Sequence, residues 1–339
     1  MSSAALVEGV VAGDPRAVAR AISLLEGDDP SADDLMRGIF RRTGRAYVIG
    51  VTGPPGAGKS TMVDRLVRAI RGDAGWPEVR DGEGPRVGVL AVDPTSPFTG
   101  GAVLGDRLRL QSHAGDDRVF IRSMATRGQL GGLARATGDA ALVLDAAGCD
   151  VVVIETVGVG QDEVDIVGAA DVSVVTLVPG TGDDVQALKA GIMEIGDIFV
   201  VNKADRDGAD RLAAAIEAML GLHDYEPGEW RPPVLRTVAT RGSGIPDLLQ
   251  AIHAFRTASP ADHPLRGEAG SSRAERERRR SEARLRDILG RRFWAYLESV
   301  RLGPGELASI VAAVAAREVD PYTAASDLLA RSVRPSAAP

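Results

Sequence analysis

The chain has 339 residues, and 40 Lys and Arg against 47 Asp and Glu leave a net charge of −7. That length suits one large domain with appendages, and the 44% apolar share can bury a sizeable core. The acidic balance speaks against a general nucleic-acid coat. The single cysteine, Cys149, excludes an internal disulfide framework or multi-cysteine metal cage. No apolar run approaches the roughly 18 residues of a membrane span, and residues 1–11 lack the basic start and apolar core of a secretory signal. Neither nucleic acid nor membrane is expected as a partner, and the expected location is cytoplasmic.

Residues 1–42 read as a helical extension. Asp14 supplies a capping carboxylate before the first-turn proline Pro15, and Val18, Ala21, Ile22 and Leu25 follow at helical spacing. From Tyr47 the pattern changes to short apolar runs at 47–51, 87–92, 151–154, 172–178 and 198–201, with a weaker one at 234–238. Continuous apolarity marks strands buried on both faces, which predicts an α/β domain over 43–258 with a mostly parallel central sheet flanked by helices. Stretches 62–70, 133–147 and 211–220 supply those helices, and 73–85, rich in Gly, Pro and Asp, reads as an exposed loop. Residues 259–339 differ in kind, as a C-terminal helical arm. An arginine-rich segment at 273–292 is followed by an apolar stripe of Leu285, Ile288, Leu289, Phe293, Tyr296, Leu297 and Val300, and Gly303-Pro304 divides it from two shorter helices. Its interspersed acids and adjoining stripe fit one solvated face and one face for a partner subunit rather than a nucleic-acid patch.

Only Lys59, Lys189 and Lys203 are lysines, and Asn202 is the only asparagine. A codon bias explains most of that scarcity, but arginine cannot replace a compact ammonium everywhere, so the survivors point to sites. Gly53-Pro54-Pro55-Gly56-Ala57-Gly58-Lys59-Ser60, followed by Thr61, fits G-x-x-x-x-G-K-[ST] between an apolar strand and a helical pattern. The glycines let backbone N–H groups fold inward around phosphate oxygens, and a helix N-terminus adds positive potential. Lys59 would reach the β and γ phosphates and the Ser60 hydroxyl would join the Mg²⁺ shell.

Asn202-Lys203-Ala204-Asp205 follows a strand end, where open α/β sheets bind ligands. The Asp205 carboxylate can accept from both the ring N1–H and the exocyclic amine of guanine, and Asn202 can bond ring N7. Adenine would leave that carboxylate unpaired. Lys203 can lay its stem over the base, and Ala239, near another strand end, is the candidate for backbone contact to the guanine carbonyl oxygen. Two further segments follow strands: Asp93-Pro94-Thr95-Ser96-Pro97, leading to Gly105-Asp106-Arg107, and Glu155-Thr156-Val157-Gly158-Val159-Gly160-Gln161. A carboxylate there can organise a metal ion and Gly158 can offer its N–H to the γ-phosphate.

With these pieces in place the sequence resembles the MeaB/ArgK GTPases, the methylmalonyl-CoA mutase-associated G proteins of the SIMIBI-type P-loop class. The matching stretches are 53–61, 92–97, 100–107, 155–163, 179–195 and 202–205, so the likeness covers nearly the whole chain. The resemblance implies a homodimeric GTPase that binds GTP, GDP and Mg²⁺ and serves an adenosylcobalamin-dependent acyl-CoA mutase, loading its cofactor and protecting or reactivating it, with an adenosyltransferase as a further partner. It implies that Asp93, Asp106 and Glu155, with Ser60, are the metal and switch groups. It implies that 179–189 is a third switch relaying nucleotide state to the mutase through Asp183, Gln186 and Lys189, with Gln161 nearby. Many GTPases place a water-orienting glutamine where this chain has Val159, which predicts slow intrinsic hydrolysis accelerated by a partner. A nickel-delivery GTPase of the same fold class, an ATP-dependent transport-system kinase and a non-hydrolysing switch remain as alternatives. One Cys and four scattered His argue against nickel donor sites. Cys149 reads as a small core residue, and His113, His223, His253 and His263 as surface or capping residues.

Overall fold

The computed structural model describes residues 2–27, 29–73, 76, 83–93, 111–113, 115–125, 132–156, 170–180, 196–225, 227, 229–258 and 273–333. They form two compact units, Met1–Arg276 and Glu277–Pro339. The first unit is built on seven strands: β1 (Tyr47–Thr52), β2 (Val87–Asp93), β3 (Val119–Ala125), β4 (Val151–Thr156), β5 (Val172–Leu177), β6 (Ile198–Asn202) and β7 (Val234–Thr237). They lie side by side in the order β3-β2-β4-β1-β5-β6-β7, every pair parallel.

Six of these strands fall on the apolar runs of the sequence. The seventh, β3, does not, because Arg122 and Ser123 interrupt its apolarity. Its place at the sheet edge supplies the reason. Arg122 donates to Glu26 at 2.5 Å and to the Ser23 hydroxyl at 2.9 Å, so an N-terminal helix partners a charge that a central strand would leave unpaired.

Both faces of the sheet are covered. One carries α1 (Ser3–Val11), α2 (Pro15–Glu26), α3 (Ala32–Ile39) and α5 (Gly132–Ala146), whose apolar residues merge with Leu90, Val152 and Ile154 in a single core. The N-terminal helices therefore share the core of the first unit. Asp14 caps α2 as its sequence suggests, accepting from Ala17 N–H at 2.7 Å with Pro15 at the first position. The other face carries α4 (Lys59–Arg71) and α7 (Ile245–Thr257), packed on Ile49, Val51, Val153 and Val174. The third cluster joins α6 (Ala209–Leu220) to β5 and β6. Trp76, within the stretch that reads as an exposed loop, is instead buried edge-on against Tyr47, with ring centres 6.1 Å apart. The loop is polar in composition, but one large apolar ring outweighs that at its own position. Cys149 is buried, as its neighbours suggest.

The N-terminal edge of the sheet is held by aspartates. Asp145 accepts backbone N–H bonds from Gly44, Arg45 and Ala46 at 2.5, 3.1 and 3.1 Å. Asp150, Asp171 and Asp197, each just before a strand, accept from Arg86, Val48 and Ser173 at 2.8, 2.9 and 2.7 Å. Parallel strands expose orphan N–H groups at that edge, and the carboxylates satisfy them. The opposite edge is left for ligands.

The second unit contains most of α8 (Arg273–Tyr296), a π-turn at Leu297–Arg301, α9 (Glu306–Ala315) and α10 (Pro321–Val333). Arg331 of α10 donates to Glu306 of α9 at 2.6 Å, and this bond holds the Glu306 carboxyl below its usual range. Leu297 and Leu328 are buried, while Leu285, Leu289, Trp294, Val300, Val311 and Tyr322 are exposed. No helix among the described residues is long and apolar enough to cross a membrane.

Candidate nucleotide site

Because all seven strands are parallel, the segments leaving β1, β4, β6 and β7 emerge on one edge, and β1 sits between β4 and β5. That is where a doubly wound sheet places its ligand. The loop after β1 turns sharply at Gly53 (φ 137°), where a Cβ would lie 1.9 Å from the Thr176 carbonyl oxygen. Gly58 enters α4 with φ 86°, and a Cβ there would meet the Asn202 amide nitrogen at 2.5 Å. Glycine is required at both places by conformation and by space. The result is a loop whose N–H groups precede a helix start, the arrangement that binds phosphate.

Lys59 is 5% exposed, and its ammonium donates to the carbonyl oxygens of Gly53 at 2.6 Å and Pro54 at 3.1 Å. A buried ammonium needs such partners, and the same carbonyls hold it beside the loop. The Ser60 hydroxyl donates to Glu155 Oε1 at 2.6 Å, both groups being buried. Glu155 is the penultimate residue of β4 and Ser60 the second of α4, so the fold brings together two hard oxygen groups that lie 95 residues apart in sequence. Oxygen donors of this kind suit Mg²⁺.

Asn202 ties the phosphate loop to the two neighbouring strand ends. Its amide N–H donates to the Ala57 carbonyl at 2.8 Å, while its Oδ1 accepts from the Thr237 hydroxyl at 3.0 Å and from Ala239 N–H at 3.1 Å. Sequence reasoning placed Asn202 and Ala239 on the base. In the structure Asn202 Oδ1 and the Ala239 N–H bond each other, and only the second amide hydrogen of Asn202 is left to point elsewhere. Lys203 adopts a left-handed backbone (φ 56°), an uncommon conformation for a side chain of its size, and its ammonium donates to Gly56 O at 2.7 Å. Asp205 is partly open to solvent, with an Arg241 nitrogen 3.5 Å from its carboxylate. Loop, helix start and the segment bearing the open carboxylate are thus joined through the buried Asn202.

Among the other expected site residues, Asp93 closes β2 at the same sheet edge. Thr61 follows Ser60 in the first turn of α4. Asp106, Gly158, Val159, Gln161, Asp183, Gln186 and Lys189 lie outside the described residues, as do His263 and the tail from Arg334.

One polar group escaped sequence reasoning. Asp64, four residues after Ser60 on α4, accepts a hydrogen bond from the Ser112 hydroxyl. His113 Nε2 lies 3.1 Å from the same carboxylate oxygen and 3.3 Å from the Asp64 carbonyl oxygen. His113 is 6% exposed, so it is a buried residue and not a surface one. The signal that could have found it was Asp64 itself, a lone acid among the apolar residues of α4. His223 and His253 pair with Glu229 and Asp73 at 3.3 and 2.7 Å. Among the described residues no group of three or more His, Cys, Asp or Glu is placed to hold a metal ion.

Fold and site define a P-loop nucleotide-binding protein. The sequence model of the family described as methylmalonyl-CoA mutase-associated GTPase MeaB matches residues 18–297, and the chain belongs to that family. A Pyrococcus abyssi protein, provisionally named as a GTPase, is 48% identical over 326 residues, 96% of this chain and 95% of that protein. The mouse protein named methylmalonic aciduria type A homolog, mitochondrial, is 34% identical over 268 residues, 74% of this chain and 62% of that one. A crystal structure titled LAO/AO transport system kinase superposes with a TM-score of 0.65 at 26% identity, covering 96% of both chains.

Proposed function

We propose that this chain binds GTP with Mg²⁺, hydrolyses it to GDP and phosphate, and uses the nucleotide state to gate adenosylcobalamin loading and repair of an acyl-CoA mutase, methylmalonyl-CoA mutase first among them. The observation that carries the nucleotide half is the Asn202 bridge, which fastens the segment bearing Asp205 to the phosphate loop at Ala57. Base and phosphate readers are then parts of one rigid frame, and the base reader is a carboxylate. The mutase half rests on the family description.

In this reading the backbone of Gly53, Gly56, Ala57 and Gly58 cradles the phosphates, Lys59 moves from the loop carbonyls to the β and γ phosphates, and Thr61 adds to the nucleotide contacts. Ser60 and Glu155 hold Mg²⁺ together with Asp93 and Asp106, and the ion supplies charge neutralisation on the phosphates. Lys203 covers the base, Asn202 and Ala239 border it, and Gly158 donates to the γ-phosphate. Gln161, Asp183, Gln186 and Lys189 carry the nucleotide state outward. Val159 cannot orient water, so hydrolysis by the chain alone is slow and a partner accelerates it. The exposed apolar residues of the second unit support a homodimer formed through the 259–339 arm, and an adenosyltransferase is the source of cofactor.

The kinase reading carried by the name of the solved relative predicts ATP as substrate; the Asp205 carboxylate opposes it, since adenine offers an acceptor at N1. The gating role is tested by following adenosylcobalamin transfer into cofactor-free mutase. Transfer that proceeds with GTP and stalls with a non-hydrolysable analogue supports it, and transfer indifferent to the nucleotide refutes it.

A further inference from the structure

We infer that Arg241 is a specificity-determining residue of the base site, a counter-ion to Asp205 that lowers the preference for guanine over adenine. The inference rests on the nucleotide reading above and deepens it. An Arg241 nitrogen lies 3.5 Å from Asp205 Oδ2, and the two side chains are 72% and 39% exposed. Among the described residues this is the one ion pair made by either group. Lys203, two residues from Asp205, is committed to the Gly56 carbonyl instead. The backbone holds both partners in place. Ala204 N–H donates to the Thr237 carbonyl at 3.0 Å, which ties the segment bearing Asp205 to the end of β7. Arg241 ends the short 3₁₀ turn Ala239–Arg241 and donates its own N–H to Val238 O at 2.9 Å. Arg65 of α4 donates to the Thr240 carbonyl at 3.0 Å, and Gly242, with φ 73°, closes the turn. Only side-chain rotation is left to vary the pairing.

The sign of the effect follows from what each base asks of the carboxylate. Guanine presents N1–H and its 2-amine, so it competes with the guanidinium for the Asp205 oxygens. Adenine presents an acceptor at N1 and leaves the carboxylate without a donor, which is the origin of the discrimination. A cation beside that carboxylate lessens the penalty against adenine and adds a displacement cost for guanine. Both effects act in one direction, against guanine selectivity. An ion pair this exposed shifts an equilibrium about twofold, and about fivefold at most. About twofold on each base leaves the guanine-to-adenine ratio about fourfold below that of a lone carboxylate. A purely structural role for Arg241 would weaken both bases alike.

The test measures GDP and ADP affinity of the full-length protein by competition against a fluorescent GDP analogue in Mg²⁺. Arg241→Ala is expected to bind GDP about twofold tighter and ADP about twofold weaker, raising the ratio about fourfold. Arg241→Lys keeps the charge and the wild-type ratio. In an Asp205→Asn background Arg241→Ala changes nothing, because the pair is already gone. In wild type the ratio rises between about 0.1 and 1 M KCl, as salt screens the pair. A ratio that falls or stays within about 1.5-fold in Arg241→Ala, or an equal rise in the Asp205→Asn background, would overturn the inference. Where ADP is too weak to compete, the GDP arm decides, and an affinity that Arg241→Ala leaves unchanged or lowers overturns it. Should Arg241→Ala fail to fold, a wild-type ratio indifferent to salt overturns it alone. Wild-type protein that binds ADP as tightly as GDP overturns the base-site reading, and this inference with it; a clear guanine preference that Arg241→Ala does not sharpen overturns this inference only.

Discussion

Replacing Asp205 by Asn tests the base site at a single atom. A carboxylate can accept from guanine N1–H and from the 2-amine together. An asparagine accepts the first but presents its own amide hydrogens to the second. Each hydrogen bond to a charged group contributes about 1.5–3 kcal/mol, so removing the charge and one acceptor endangers about 3–6 kcal/mol. At about 1.4 kcal/mol per factor of ten this spans about 10²- to 10⁴-fold in affinity. Asp205 is 39% exposed and Arg241 stands 3.5 Å away, both of which weaken its hold on the base, so the lower end applies, about 100-fold. The lost affinity is expected to reappear for a xanthine nucleotide, whose 2-carbonyl accepts from the new amide. Competition of GDP and XDP against a fluorescent nucleotide reads both effects. A variant that binds GDP within about threefold of wild type, or that gains nothing for XDP, would refute the assignment of Asp205.

Gly58→Ala forces a side chain into a left-handed backbone and against the Asn202 amide; the strain of about 1–3 kcal/mol should unseat the Asn202–Ala57 bond and weaken nucleotide binding about tenfold or more, as read by calorimetric titration. Asp145→Ala removes the acceptor of three backbone N–H groups; it should cost about 3 kcal/mol in urea unfolding, and a loss below about 1 kcal/mol would show that other groups satisfy them. Asp116 is held below the usual carboxylate range mainly by its hydrogen bonds from Arg71. A lowered folded-state pKa contributes stability above the ordinary carboxylate value and loses it as pH falls through the folded value. The melting temperatures of wild type and Asp116→Asn should therefore differ at neutral pH and converge in strong acid; a gap that persists there contradicts the pairing.

Much of the frame can be read from the sequence because its signals are local. Strands β1, β2, β4, β5 and β6 announce themselves as mainly apolar runs, since burial on both faces favours apolar side chains, while β7, with the exposed Arg236, gives the weaker signal. The phosphate loop is legible because Gly53 and Gly58 are demanded by backbone geometry within eight residues. The strand β3 was hidden, because the partners of Arg122 are Glu26 and Ser23, roughly a hundred residues away. The same distance problem hid Asp64: alone on its helix it reads as a solvated acid, and only the packed fold brings Ser112 and His113 to it. Asn202 shows the intermediate case. Its presence at a strand end marked a base site, but that its carbonyl would brace Thr237 and Ala239 depends on β6 and β7 being neighbours. Chemical type is written locally, whereas partnership is written in the topology.

The central claim is that a guanine-specific nucleotide site is coupled to an acyl-CoA mutase. It is tested most directly by GTP and ATP turnover of the purified protein, with and without methylmalonyl-CoA mutase from the same organism. Turnover confined to GTP, slow alone and markedly faster with the mutase, is the predicted result; ATP turnover matching that of GTP, or a GTP rate the mutase leaves unchanged, would contradict it.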